Sequence, residues 1–157
     1  MGPPELMPLS IQGPLERGVQ RMKRRTLHRA TFLLAGIYNL AWGLFTVLDP
    51  QFIFRFAGMP LLNHPEIMQC LAMVIGLYGI AYLEVARNPE RGFAIAAIGF
   101  AGKVLGPIGA VLLVARGIYP PAFLLLNLFN DLIWLAPFAT YLIDAWPLWR
   151  GNQQGSA

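Results

Sequence analysis

Four apolar stretches, at about residues 31–48, 66–86, 93–115 and 122–143, are separated by short segments dense in proline, glycine, asparagine and arginine. The shortest stretch holds roughly 18 residues, about 27 Å of α-helix, and matches the hydrocarbon thickness of a bilayer once its flanks are counted. A chain of 157 residues that must place four such stretches has the membrane as its natural solvent. Inside a membrane every backbone amide must find its partner within the protein, which leaves helices as the spanning structure here. Composition agrees, since 56% hydrophobic residues against 13% charged ones and a mean hydropathy of +0.52 exceed what a soluble domain carries. The predicted fold is all-α, an integral membrane antiparallel four-helix bundle with short loops.

The punctuation between the stretches is specific. Asp49-Pro50 ends the first span, and residues 51–65 carry Phe52, Phe54 and Phe56 alternating with Arg55 before Gly58, Pro60, Asn63 and His64, which predicts a short amphipathic segment at the interface. Arg87-Asn88-Pro89-Glu90-Arg91-Gly92 separates the second and third spans, and Arg116-Gly117-Ile118-Tyr119-Pro120-Pro121 separates the third and fourth. Tyr141, Trp146 and Trp149 are placed as an aromatic belt at the end of the last span. Residues 1–28 read as a mobile tail followed by a basic amphipathic anchor, with Leu15, Val19 and Met22 opposite Arg17, Arg21, Arg24 and Arg25. The bundle then occupies residues 29–149 and a C-terminal tail residues 150–157. The start does not resemble a cleavable signal, because the first apolar run is as long as a span and no small-x-small site ends it.

Charge sets the expected orientation. Arg17, Arg21, Lys23, Arg24, Arg25, Arg29, Arg87, Arg91 and Arg150 fall on one side of the bundle, and only Arg55 and Arg116 on the other. The positive-inside rule then puts both termini in the cytoplasm, and the expected location is the bacterial inner (cytoplasmic) membrane as a multi-pass protein. The net charge of +4 belongs to these flanks, so nucleic acid is not an expected partner, while the lipid bilayer is. The single cysteine, Cys70, excludes an intramolecular disulfide framework and a cysteine-based zinc cluster. No basic neighbour stands within a helical turn of it, so an inert buried thiol is expected there. His28 and His64 are too few and too far apart for a metal or haem site, and are expected in the basic anchor and in a loop.

Two charges break the apolar pattern. Lys103 lies near the middle of the third span and Asp131 near the middle of the fourth, so neighbouring antiparallel spans would hold them at one depth. A lone charge at a helix centre costs roughly 2.5–3.5 kcal/mol on the insertion scale, and pairing is the expected resolution. Ala96, Gly99, Gly106 and Ala110 share the face of Lys103 and form a smooth strip that predicts close approach of another backbone. Pro107 and Pro137 lack the N–H that would bond the carbonyls of Lys103 and Ile133. Asn127, Asn130, Asp131 and Trp134 make one patch on the fourth helix, and Asn39, Trp42 and Tyr78 bring the first and second spans to the same layer. Gln69 is expected toward the outer surface and Glu84 toward the inner one, beside Arg87 or Arg91.

The combination Tyr38-Asn39-x-x-Trp42-Gly43, Gly76-x-Tyr78-Gly79, Gly102-Lys103-x-x-Gly106-Pro107-x-Gly109 and Asn130-Asp131-x-x-Trp134-x-x-Pro137-Phe138 resembles a family of small four-span bacterial membrane proteins. Members often carry the label alkyl hydroperoxide reductase, and the bundle is loosely similar to the DoxX-like proteins associated with membrane redox systems. The resemblance covers about residues 30–146. Thiol-based peroxide reduction needs an exposed low-pKa cysteine and usually a resolving one, and one cysteine in an apolar span does not supply them. The polar layer therefore has two readings. It is interhelical glue that sets packing register, each contact contributing on the order of 0.6 kcal/mol, or it is a ligand or translocation site. Under the second reading Lys103 and Asp131 hold the polar head of an amphiphile, a quinone or a lipid, with Asn127, Asn130, Asn39 and Tyr78 as hydrogen-bonding neighbours and Trp42 and Trp134 as walls. An accessory subunit of a larger membrane complex, a homo-oligomer, a proton or small-solute transporter and a membrane redox enzyme are the other expectations. No residue is singled out as catalytic, and no metal or obligatory cofactor is expected.

Overall fold

In a computed structural model, residue 22 and residues 24–154 are described, and the chain is all-helical. The tail at 1–13 and nearly all of the expected anchor at 15–25 lie outside the described residues. Helix α1 spans Arg25–Leu48, α2 Phe52–Phe56, α3 Pro65–Arg87, α4 Phe93–Ala115, α5 Phe123–Asn127 and α6 Ile133–Gln154. A π-helical segment, Leu128–Leu132, joins α5 to α6, so that residues 123–151 form one apolar rod. Four helices are long and apolar enough to cross a membrane.

The boundaries follow local chemistry. Pro65 opens α3, where its missing N–H costs nothing. Gly58 and Gly117, both at φ 68°, close α2 and α4. The next amide in each case reaches back five residues, Met59 N–H to the Phe54 carbonyl at 2.8 Å and Ile118 N–H to that of Leu113 at 2.9 Å. This left-handed cap is cheap only for glycine. Gln51 clamps the intervening loop, donating to the Leu62 carbonyl at 2.9 Å and accepting the Leu62 N–H at 3.0 Å. Two boundaries differ from the sequence expectation. α1 starts at Arg25, six residues before the apolar run, and α6 continues to Gln154, well beyond Ile143 and through most of the expected tail.

Neighbouring helices pair in opposite directions around a ring. Gly36 lies on Gly79 and Gly43 on Gly76 across α1 and α3. Tyr82 of α3 meets Gly99 of α4, Lys103 of α4 meets Asn130, and Phe138 of α6 meets Phe32 of α1. The α1–α3 contact is the closest. A Cβ on Gly36 would come within 2.9 Å of the Gly79 carbonyl oxygen, and one on Gly79 within 2.8 Å of the Gly36 oxygen. The small-residue strip of α4 acts differently from expectation. Gly99 makes room for the Tyr82 ring and Gly106 for the Asp131 carboxylate, while Gly102 and Gly109 face open space. The strip seats side chains, because the helices beside α4 present Tyr82 and Asp131 where α3 presents glycine to α1.

The apolar core lies toward the end where α1 and α4 begin. Phe32, Phe138 and Tyr141 are fully buried there, with Phe32 centred 4.6 Å from Phe138 and 4.7 Å from Tyr141. Such aromatic pairs contribute about 0.5–1.5 kcal/mol beyond the area they bury. Tyr141 is thus a core residue and not part of an interfacial belt. Its hydroxyl donates to the Pro89 carbonyl at 2.6 Å, which satisfies it inside the core. Trp146 and Trp149 do stack, 5.3 Å apart, against Phe93. The outer faces carry Leu34, Leu44, Leu77, Leu105, Leu112 and Ile143, all more than half exposed. That much continuous apolar surface suits contact with lipid. Cys70 belongs to this outer face and is exposed, in contrast to the buried thiol expected. The packed face of α3 runs through Ala72, Gly79, Tyr82 and Ala86, and two residues from Ala72 is more than half a turn away.

Candidate functional site

Lys103 and Asp131 are both brought inside the bundle, at 5% and 7% exposure. They pair more loosely than charge alone suggests. The Lys103 Nζ stands 3.8 Å from Asp131 Oδ1, beyond hydrogen-bond length, and donates instead to the main-chain carbonyl of Asn130 at 2.8 Å. That carbonyl lies in the π-helical segment, where the wider turn displaces acceptors from the regular α ladder. Pro107 leaves the Lys103 carbonyl without its N–H partner, yet α4 is helical straight through Pro107 and the carbonyl that the ammonium uses comes from the opposite helix. The carboxylate is held from its own helix. Asn127 Nδ2 donates to Oδ2 and Asn130 Nδ2 to Oδ1, each at 3.1 Å.

A cavity of about 180 Å³ opens beside this pair, walled by Asn39 of α1, Tyr78 and Tyr82 of α3, Lys103 of α4, and Asn130 and Asp131. Ile75 of α3 and Ile98, Gly99 and Gly102 of α4 also line it. Ile98 and Gly102 are exposed on the outer surface, so the mouth lies between α3 and α4. Five of the eight expected site residues thus meet in one cavity: Asn39, Tyr78, Lys103, Asn130 and Asp131. Asn127 stands behind them as a support for Asp131. Trp134 lies with its ring centroid 5.9 Å from the Lys103 Nζ, close enough for a cation–π contact. Trp42 does not wall the cavity and instead stacks on Tyr38, 6.4 Å away at 3°. Tyr82 is a wall that sequence reasoning missed. Its signal was the seventeen-residue offset to Gly99, which only the α3–α4 register converts into a contact.

Three buried polar atoms of this layer, Asn127 Oδ1, Asn130 Oδ1 and Trp134 Nε1, have no hydrogen-bond partner among the described residues. An unpaired buried group costs about 1–3 kcal/mol. The ammonium has also committed only one of its three N–H donors. Of these groups, those of Lys103 and Asn130 belong to residues that line the cavity.

A second polar cluster escaped the sequence reading. His28 is 1% exposed, and its Nε2 lies 2.8 Å from Asp144 Oδ2. Arg24 grips the same carboxylate in a fork, at 2.9 Å through Nε and 2.9 Å through Nη2. The hydrogen bond and the attraction of Asp144 raise the Arg24 pKa above its usual value. His28 is thus a packed core residue, edge-on to Tyr141 at 5.3 Å, and not part of an exposed anchor. The pair spans 116 positions in the chain, so nothing local announces it. Asp144→Asn is expected to lower stability by about 1–3 kcal/mol, through the carboxylate that buried His28 loses. Denaturation of the variant in detergent checks this, and an unchanged midpoint would contradict it. Elsewhere Glu84 stands 3.9 Å from Arg87, one of its two expected partners, and also accepts from Asn88 at 2.6 Å, while Gln69 donates to the Val47 carbonyl at 2.9 Å. Among the described residues no three of His, Cys, Asp and Glu come together as a metal site.

No protein-family model, curated protein or solved structure matches this chain.

Proposed function

We propose that this protein is a multi-pass protein of the bacterial cytoplasmic membrane, with both termini cytoplasmic, that binds the polar head of a small amphiphile in the cavity beside Lys103 and Asp131. The observation that carries this reading is the cavity's chemistry and position. A cation with free N–H donors, two tyrosines and two asparagines line a space whose mouth lies between the apolar outer faces of α3 and α4. Its volume of about 180 Å³ is below the roughly 300–1,000 Å³ of sites that enclose a drug-sized ligand. The site accordingly takes a head group only, while the tail stays among the acyl chains. A quinone, whose carbonyl oxygens accept from Lys103 and Tyr78, or a lipid with a small neutral head has this shape. Arg24, Arg25, Arg29, Arg87, Arg91 and Arg150 gather at the end where α1 begins, which supports the cytoplasmic placement of that end.

Mass spectrometry of what copurifies in mild detergent tests the reading. Wild type is expected to carry a stoichiometric quinone or lipid, and Gly102→Leu to lose it while keeping its stability. A Cβ at Gly102 meets nothing within 4 Å, so the added side chain obstructs the mouth without disturbing the fold. Equal retention by wild type and Gly102→Leu would remove the cavity from consideration.

A further inference from the structure

A second recess lies at the arginine-rich end, away from Lys103. It is a groove of about 550 Å³ between the start of α1 and the end of α3. Thr26, Arg29 and Arg87 stand toward the helix ends, and Ala30, Leu33 and Leu83 continue inward. Leu33 is one turn deeper than Arg29, about 6 Å along the axis. The lining is therefore cationic where a membrane helix meets the head-group layer and apolar immediately below it.

At this end, among the described residues, Arg24, His28 and Arg25 hold carboxylates, whereas Arg29 does not. Asp144 is taken by Arg24 and His28, and Glu90 accepts from Arg25 at 2.7 Å. Arg29 instead donates its Nε to the Ala86 carbonyl at 3.1 Å. That bond holds the guanidinium over the groove with both terminal nitrogens uncommitted to any carboxylate among the described residues. Arg87 is 79% exposed and only 3.9 Å from Glu84, a carboxylate that is itself half exposed. Such a surface pair exchanges readily for a better anion. The groove lining holds two guanidinium groups and no carboxylate. A phosphate suits paired guanidinium forks, and basic recesses between helices at the cytoplasmic surface take anionic lipid heads.

We propose that this groove binds an anionic phospholipid, its phosphate held between Arg29 and Arg87 and an acyl chain lying along Leu33 and Leu83. The lining favours an anionic lipid over a zwitterionic one, because an ammonium head would meet two like charges and no carboxylate in the groove.

Native mass spectrometry of the full chain in detergent, titrated with phosphatidylglycerol or phosphatidylcholine, tests this. Two surface arginines predict a preference of about thirtyfold for phosphatidylglycerol. Arg29→Gln with Arg87→Gln is expected to bring the two lipids to near parity. Ala30→Trp keeps both arginines and fills the groove, so it is expected to weaken binding of phosphatidylglycerol about tenfold or more. Millimolar inorganic phosphate should not displace the lipid, since it lacks the chain that Leu33 and Leu83 receive. Equal binding of the two lipids by wild type overturns the proposal, as does a preference that survives the double arginine substitution, binding indifferent to Ala30→Trp, or displacement by free phosphate. Should the double variant not fold, the wild-type preference and Ala30→Trp decide the matter. None of these outcomes depends on the Lys103 cavity.

Discussion

Lys103→Met alone is expected to destabilise the folded protein by about 3–5 kcal/mol, the cost of stranding one member of a buried ion pair. Asp131 at 7% exposure would keep its two asparagine donors but lose the cation 3.8 Å away, and the Asn130 carbonyl would lose the ammonium bonded at 2.8 Å. Adding Asp131→Leu should restore part of that loss. The recovery is incomplete because the Asn127 and Asn130 amides, which both donate to Asp131, are then left without their acceptor. A double-mutant cycle measured by unfolding in mixed detergent should return a coupling of about 1–3 kcal/mol. A coupling near zero would mean that the 3.8 Å separation is too long for the pair to matter, and that the Asn130 carbonyl is the real partner of Lys103. The same variants bear on function. If the double variant folds and still copurifies with the amphiphile, the charges only set helix register and the proposed head-group site is wrong.

Gly79→Ala should also destabilise the fold, through packing alone. The new Cβ would lie 2.8 Å from the Gly36 carbonyl oxygen and 2.9 Å from the Leu40 amide nitrogen, so two backbones must separate. Overpacking of this kind costs about 1–3 kcal/mol and sometimes more, and here it acts on the closest helix pair in the fold. Gly76→Ala is the control. Nothing lies within 4 Å of its Cβ position, so it should gain roughly 0.5–1 kcal/mol from helix propensity. Opposite signs for two glycines three residues apart, read from thermal unfolding of the detergent-solubilised variants, would confirm the register of α1 on α3. Equal effects would refute it.

Gly76 and Gly79 also show where sequence reasoning stops. Both fit a small-residue packing motif, and only the rotation of α3 aims the Cβ position of Gly79 at α1 and that of Gly76 into open space. The four long helices were legible because hydropathy is summed locally and because Asp49-Pro50, Arg87-Asn88-Pro89 and Gly117 punctuate the chain without reference to anything distant. The shared layer of Asn39, Tyr78, Lys103, Asn130 and Asp131 was legible for a related reason. Span length converts sequence position into depth, and depth is the one coordinate a membrane imposes on every helix alike. Rotation about the helix axis has no such external reference. Cys70 therefore turned out to face outward, Trp42 turned from the cavity toward Tyr38, and Tyr141 entered the core where a belt residue was expected.

The sequence by itself determined four apolar helices, their order, and the depth at which two opposite charges are buried. Tertiary structure alone decided what those charges touch. The π-helical segment offers Lys103 a main-chain carbonyl in place of a close carboxylate, and the ring of neighbours places Tyr82 against Gly99 and His28 against Asp144. These contacts depend on backbone hydrogen-bond geometry and on the azimuth of each helix, which are settled by packing between residues far apart in the chain. Hydropathy and charge carry no record of either.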